Sequence, residues 1–94
     1  MKLSQTTQFK KDIRKQSKRG KNPDKLTRAV EFLLQGKPLP ETYKDHALTG
    51  NWLGRRDCHV EPDWILIYRK SEDEIRLERT GSHSPPPHAF HRRG

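Results

Sequence analysis

Trp64 to Arg69, WILIYR, constrains the fold more than any other stretch of the chain. It is almost continuously apolar and rich in β-branched and aromatic residues, the pattern of a central strand covered on both faces. Only 29% of the 94 residues are hydrophobic, which is enough for one small core in one domain. The rest of the chain must therefore be arranged around this strand. Ser71 to Glu74 is a polar turn, and Ile75-Arg76-Leu77-Glu78-Arg79 alternates cleanly, so the two runs read as a hairpin that ends at Thr80-Gly81-Ser82-His83. Before the Glu61-Pro62 break, Gly54 to Val60 reads as a further strand. Its period of two sets Arg55, Asp57 and His59 on one face and Arg56, Cys58 and Val60 on the other.

The N-terminal half supplies the cover. Met1 to Gln5 begins as a short strand. Thr6 or Thr7 caps a helix that runs through Lys18, with Phe9, Ile13 and the stem of Gln16 on its buried side, and Gly20 ends it. Asn22-Pro23 is an N-cap followed by proline at the first helical position. Leu26, Val30, Leu33 and Leu34 then form an apolar stripe until Gly36. Pro38-Leu39-Pro40 links the halves. The predicted fold is α+β with the order β-α-α-β-β-β, a helical hairpin on a small, antiparallel-dominated sheet. No internal repeat is present.

Charge is unevenly placed. The formal net charge is +8 and the pI about 10.0, which favours a polyanionic partner, nucleic acid first, with an acidic protein or a membrane surface as other fits. Residues 1 to 28 carry ten Lys/Arg against Asp12 and Asp24. Lys10, Lys11, Arg14, Lys15 and Lys18 thus make a basic helical surface, read as a docking face for RNA phosphates; the competing reading is a solvated face that keeps the protein soluble. A single cysteine cannot form an internal disulfide. No apolar run is long enough for a signal segment or a spanning helix, and the predicted compartment is the cytoplasm.

His46, His59 and His83 come from three separate segments: the loop before the sheet, the end of a strand and the residues after the last strand. Imidazoles gathered in this way suit acid–base chemistry near neutral pH, because one can accept a proton while another donates. Asp57 and Asp63 flank His59 and either is placed to orient an imidazole, while Arg55, Arg56 and Arg79 lie nearby in sequence as phosphate ligands. A metal site is the competitor, but there is no HExxH and no paired cysteine, so no cofactor is expected. Cys58 points away from His59 and reads as a small core residue.

YKDHALTGNWLGRRDCHVEPDWILIYRK followed by LERTGSH resembles the YafQ branch of the RelE superfamily, the ribosome-dependent messenger-RNA endonuclease toxins of bacterial toxin–antitoxin modules. The resemblance runs from Met1 to about His83 and is strongest from Tyr43 onward. It implies a toxin domain over residues 1–84, a cognate antitoxin, a site of action in the ribosomal A site, and contact with operator DNA only through the antitoxin complex. Carried onto this chain, the family's motif residues are His46, Asp57, His59, Asp63 and His83. The resemblance implies metal-free cleavage with His83 as general acid, His46 or Asp63 as general base, and His59 with Arg55 or Arg79 on phosphate charge.

Residues 85–94 form a Pro-rich basic tail that departs from the family pattern. Pro87 stands where the family commonly has an aromatic, and Phe90 follows as the candidate for stacking on a base, after a Pro85-Pro86-Pro87 run that favours an extended conformation. A second reading follows from that departure: a binding module of the same fold, docking on ribosome, antitoxin or operator DNA and cutting poorly.

Overall fold

The computed structural model describes residues 1–82. Strand β1 (Lys2–Gln5) leads into α1 (Thr7–Lys18) and α2 (Pro23–Leu34). A 3₁₀ turn at Glu41–Tyr43 precedes β2 (His46–Ala47), and another at Gly50–Trp52 precedes β3 (Arg56–Glu61). With β4 (Trp64–Lys70) and β5 (Glu74–Ser82) these strands form one sheet of order β1-β5-β4-β3-β2. Only β1 and β5 run parallel; the other pairs are antiparallel. The architecture is the expected helical hairpin on a mixed, mostly antiparallel sheet.

Local chemistry sets the helix ends. The Thr6 hydroxyl accepts from the Phe9 amide at 2.9 Å, and the Asn22 side chain accepts from the Asp24 amide one residue past Pro23. Gly20 and Gly36 take φ of 88° and 71° at the two C-terminal ends, where a side chain would be strained. α1 lies on β5 and α2 on β3. Phe9, Leu26, Val30 and Leu33 pack on Cys58, Trp64, Leu66, Tyr68, Ile75 and Leu77. Trp64 to Tyr68 are all buried. Alternation turns Trp64, Leu66 and Tyr68 toward the helices and Ile65 and Ile67 toward the opposite face. The indole of Trp64 donates to the Thr80 hydroxyl at 2.8 Å, and that hydroxyl donates to the Ile65 carbonyl at 2.7 Å, so no buried polar atom of this pair is left unmatched.

Three boundaries differ from expectation. His46 lies in a strand rather than a loop, because β2, only two residues long, pairs with β3. β3 starts at Arg56, since Gly54 turns at φ 89°. β5 continues past Arg79 to Ser82: a bulge opposite Ile67 and Tyr68 shifts its register, which ends the clean alternation without ending the strand.

Candidate active site

The site begins with a strained turn. Lys44, at φ 49° and ψ 48°, is the one non-glycine with positive φ among the described residues. It reverses the chain out of the 3₁₀ turn so that Asp45 and His46 fall on opposite faces of β2. His46 is in register with Asp57 of β3, and both face away from the helices. Asp57 is fully buried, while the His46 side chain is 40% exposed. A buried carboxylate is costly unless paired. Its Oδ1 lies 3.1 Å from His46 Nε2, close enough for an ion pair although the two atoms are not aligned for a straight hydrogen bond.

The other ring nitrogen has a backbone partner. His46 Nδ1 is 2.9 Å from the Lys44 carbonyl, and a carbonyl can only accept, so Nδ1 carries a hydrogen. A neutral ring would then turn a lone pair on Nε2 toward a carboxylate oxygen. Both facing atoms, Nε2 and Asp57 Oδ1, are closed off from solvent.

His59 lies two residues along the same face of β3. Its Nδ1 donates to the Pro62 carbonyl at 3.2 Å, and the residue is among those lining an open cleft of about 700 Å³. Lys25, Arg28, Tyr43, Lys44 and Glu61 also line that cleft. Of the two aspartates expected to orient an imidazole, Asp57 faces His46, and Asp63, 62% exposed, is 3.0 Å from Lys21 at the end of the helical hairpin. The hydrogen bond from Lys21 holds the Asp63 carboxyl below its usual range. Glu61 is lowered in the same way by Lys25 and Lys21.

The arginines separate. Arg55 keeps near the imidazole face, with Nε 3.5 Å from Glu78 Oε1 and its guanidinium 5.8 Å above the Trp52 ring. Arg56 points to the helix side, where its guanidinium donates through Nε and Nη2 to both oxygens of Asp45. Arg79 is engaged by Asp12 of α1, at 2.7 Å through Nε; the same Asp12 oxygen accepts from the Thr80 amide at 3.2 Å. Lys10, Lys11, Arg14, Lys15 and Lys18 line the outer side of α1. Four of them, Lys11, Arg14, Lys15 and Lys18, share one stripe at helical spacing, turned away from buried Phe9, Asp12 and Gln16. That stripe and the imidazoles therefore lie on opposite sides of the sheet. Cys58 is buried in the core, and burial pushes its thiol far above the ordinary range. His83 and Phe90 lie outside the described residues.

Sequence reasoning misses Asp45, Tyr68, Asp12 and Lys21. The Tyr68 hydroxyl donates to Asp45 Oδ1, so Asp45 serves both Tyr68 and Arg56. A signal exists for one of them: Asp12 sits three residues after Phe9 on the buried side of a helix. Among the described residues, no three His, Cys, Asp or Glu side chains gather as a metal site.

The family model of the bacterial toxin of type II toxin–antitoxin system, YafQ, matches residues 1–85. The mRNA interferase toxin YafQ of Escherichia coli K12 is 49% identical over 78 residues, covering 82% of this chain and 85% of the relative. The crystal structure of the E. coli DinJ–YafQ complex contains a chain that superposes with a TM-score of 0.80 at 46% identity, over 86% of this chain and 91% of that one. A copper-bound mutant toxin from Helicobacter pylori superposes with a TM-score of 0.84 at 37% identity, over 88% of this chain and 94% of that one.

Proposed function

Because this chain belongs to the YafQ family of bacterial type II toxins, we propose that it is an mRNA interferase that cuts messages in the ribosomal A site and is silenced by a cognate antitoxin. Operator DNA is met only through the toxin–antitoxin complex. The observation that carries the catalytic reading is the buried Asp57 carboxylate facing His46 Nε2 at 3.1 Å. A carboxylate in that setting stabilises an imidazolium, the form a histidine takes once it has accepted a proton.

The reaction is intramolecular on the RNA. A base takes the 2′-OH proton, O2′ attacks the adjacent phosphorus, the P–O5′ bond breaks, and an acid protonates the departing O5′. The products are a 2′,3′-cyclic phosphate and a 5′-OH. His46 is the better base of the two candidates, since Lys21 makes Asp63 a weaker proton acceptor. Asp57 beside Nε2 stabilises the charged ring that forms. His83 acts as the acid, and His59 with Arg55 supports phosphate charge. The cleft beside His59, with Arg28 and Lys44 on its walls, accommodates a neighbouring nucleotide. Arg79, held by Asp12, contributes indirectly.

Single-turnover cleavage on programmed ribosomes tests this reading. Cutting should persist in EDTA, leave a 2′,3′-cyclic phosphate and vanish when the scissile nucleotide is 2′-deoxy. A protein that binds ribosomes and never cuts is instead a docking module of the same fold.

A further inference from the structure

Asp45, Arg56 and Tyr68 form a three-way contact on the face of the sheet opposite His46, and nothing in the proposed chemistry uses it. The Asp45 carboxylate accepts from Arg56 Nε at 3.3 and 3.2 Å and from Nη2 at 3.0 Å, and also from the Tyr68 hydroxyl. Tyr68 is rooted in the core at 1% exposure. Burial and then the bond to Asp45 raise its phenol well above the ordinary range, so it stays a donor. Arg56 is held protonated chiefly by Asp45. The contact thus joins the residue before His46 to one residue each of β3 and β4.

Such an anchor has a job here. β2 pairs with β3 at only two positions, too few to hold a strand against fraying. The segment also begins with Lys44 in the left-handed region, a conformation that is strained for a residue with a side chain and persists only where its surroundings impose it. Lys44 supplies the carbonyl that receives His46 Nδ1–H. The strained backbone is therefore what orients the ring, and the Asp45 contact is what keeps that backbone in place.

We infer that Asp45, Arg56 and Tyr68 are positioning residues for His46, acting through the Lys44–His46 backbone rather than by touching RNA. Arg56 is thereby assigned to orientation and not to phosphate binding. The inference rests on His46 taking part in cleavage, but its geometric half stands independently of that reading. A bidentate, partly buried arginine–carboxylate contact fixes position more tightly than a point charge does, and small misplacements of a reacting group cost far more in rate than in binding.

The test uses Tyr68→Phe, which keeps the core volume, and Asp45→Asn, which keeps the shape. Two readouts are taken on each full-length variant: ¹⁵N shifts of the His46 ring nitrogens in the free protein, and single-turnover cleavage on ribosomes. Both variants should disturb the His46 Nδ1 and Nε2 signals. Asp45→Asn should lower kcat by about 10²-fold, the scale of a 1 Å misplacement, and Tyr68→Phe by less, with KM close to wild type. Unchanged His46 ring signals in both variants overturn the inference even when cleavage falls. Altered ring signals with undiminished cleavage overturn the link to the chemistry. A wild-type protein that does not cut leaves the ring measurement to decide the geometry and counts against the proposed function alone. A fall in ribosome affinity at constant kcat for Arg56→Lys, which cannot make the bidentate contact, assigns Arg56 to RNA and refutes its positioning role.

Discussion

Arg79 of the last strand lies 2.7 Å from Asp12 of the first helix, and the same carboxylate oxygen takes the Thr80 amide. One side chain thus ties α1 to β5 at the point where β1 no longer covers that strand. Replacing Asp12 by alanine leaves a buried amide and a half-buried guanidinium without this partner. A loss of about 1 to 3 kcal/mol is expected, with Asp12→Asn losing less because it keeps an acceptor for the amide. Urea melts of the two variants measure the difference, and equal midpoints for wild type and Asp12→Ala would show that the tie carries no weight.

Core packing makes a second, sharper contrast. Trp64 and Leu66 are fully buried against the helices, whereas Trp52 is half-buried beneath Arg55. Trp64→Ala or Leu66→Ala should each cost about 2 to 5 kcal/mol, as large-to-small core changes do, and Trp52→Ala much less. Thermal melts decide between them.

The cluster formed by Lys21 and Lys25 with Glu61 and Asp63 predicts a pH profile. Both carboxyls are lowered by their lysine partners, so their stabilisation is present above the unfolded carboxylate range, about pH 4, and disappears as pH falls through the lower folded values. Lys21 is raised, first by Asp63, so its part is fully present below about pH 10 and disappears as pH rises through its folded value. Lys25 and Asp63 are exposed and Lys21 and Glu61 half-buried, and added salt should weaken the effect. Melting temperature against pH for wild type and Lys21→Met should converge at the acid limb and differ in the neutral plateau. Parallel curves at every pH contradict it.

For the chemistry, His83→Ala should lower cleavage by about 10² to 10⁴, the usual worth of a positioned acid or base, with ribosome binding close to wild type. His59→Ala should cost less if it only supports phosphate charge. Normal cutting by His83→Ala removes it from the mechanism.

The basic stripe on α1 faces away from the imidazoles, so its partner must reach a second side of the molecule. Reversing Lys10, Lys11 and Lys15 should weaken ribosome binding and flatten its salt dependence, by roughly one unit of slope for each phosphate no longer neutralised, without changing the fold. An unaltered slope reduces the stripe to a solubility device.

Much of this architecture is written in short-range patterns. Thr6, Gly20, Asn22-Pro23 and Gly36 mark the helix ends by local chemistry, and the apolar run Trp64 to Tyr68 marks the central strand. What the sequence hides depends on contacts between distant segments. β2 has two residues and hence no period, so only its pairing with β3 reveals it. The bulge beside Tyr68 breaks the alternation of β5, and no side-chain pattern records where it falls. Asp57 is legible as a residue placed to orient an imidazole, but which one is not: strand register delivers His46. Arg56 is legible as belonging to the face opposite His59, but its role there depends on Asp45, which only the left-handed turn at Lys44 brings alongside.

The parallel pairing of β1 with β5 joins residues about seventy positions apart, with Ser4 bonded to Glu74. During synthesis β1 is made first and waits without a partner until Glu74–Ser82 has left the ribosome. The closing step of the sheet is therefore the joining of a long loop, slow compared with forming the two local helices. A nascent chain stalled before β5 lacks the strand that joins β1 to β4 and on which α1 rests. Such a chain leaves β1 unpaired and the apolar side of α1 uncovered, so one late strand completes both the sheet and the core beneath the first helix.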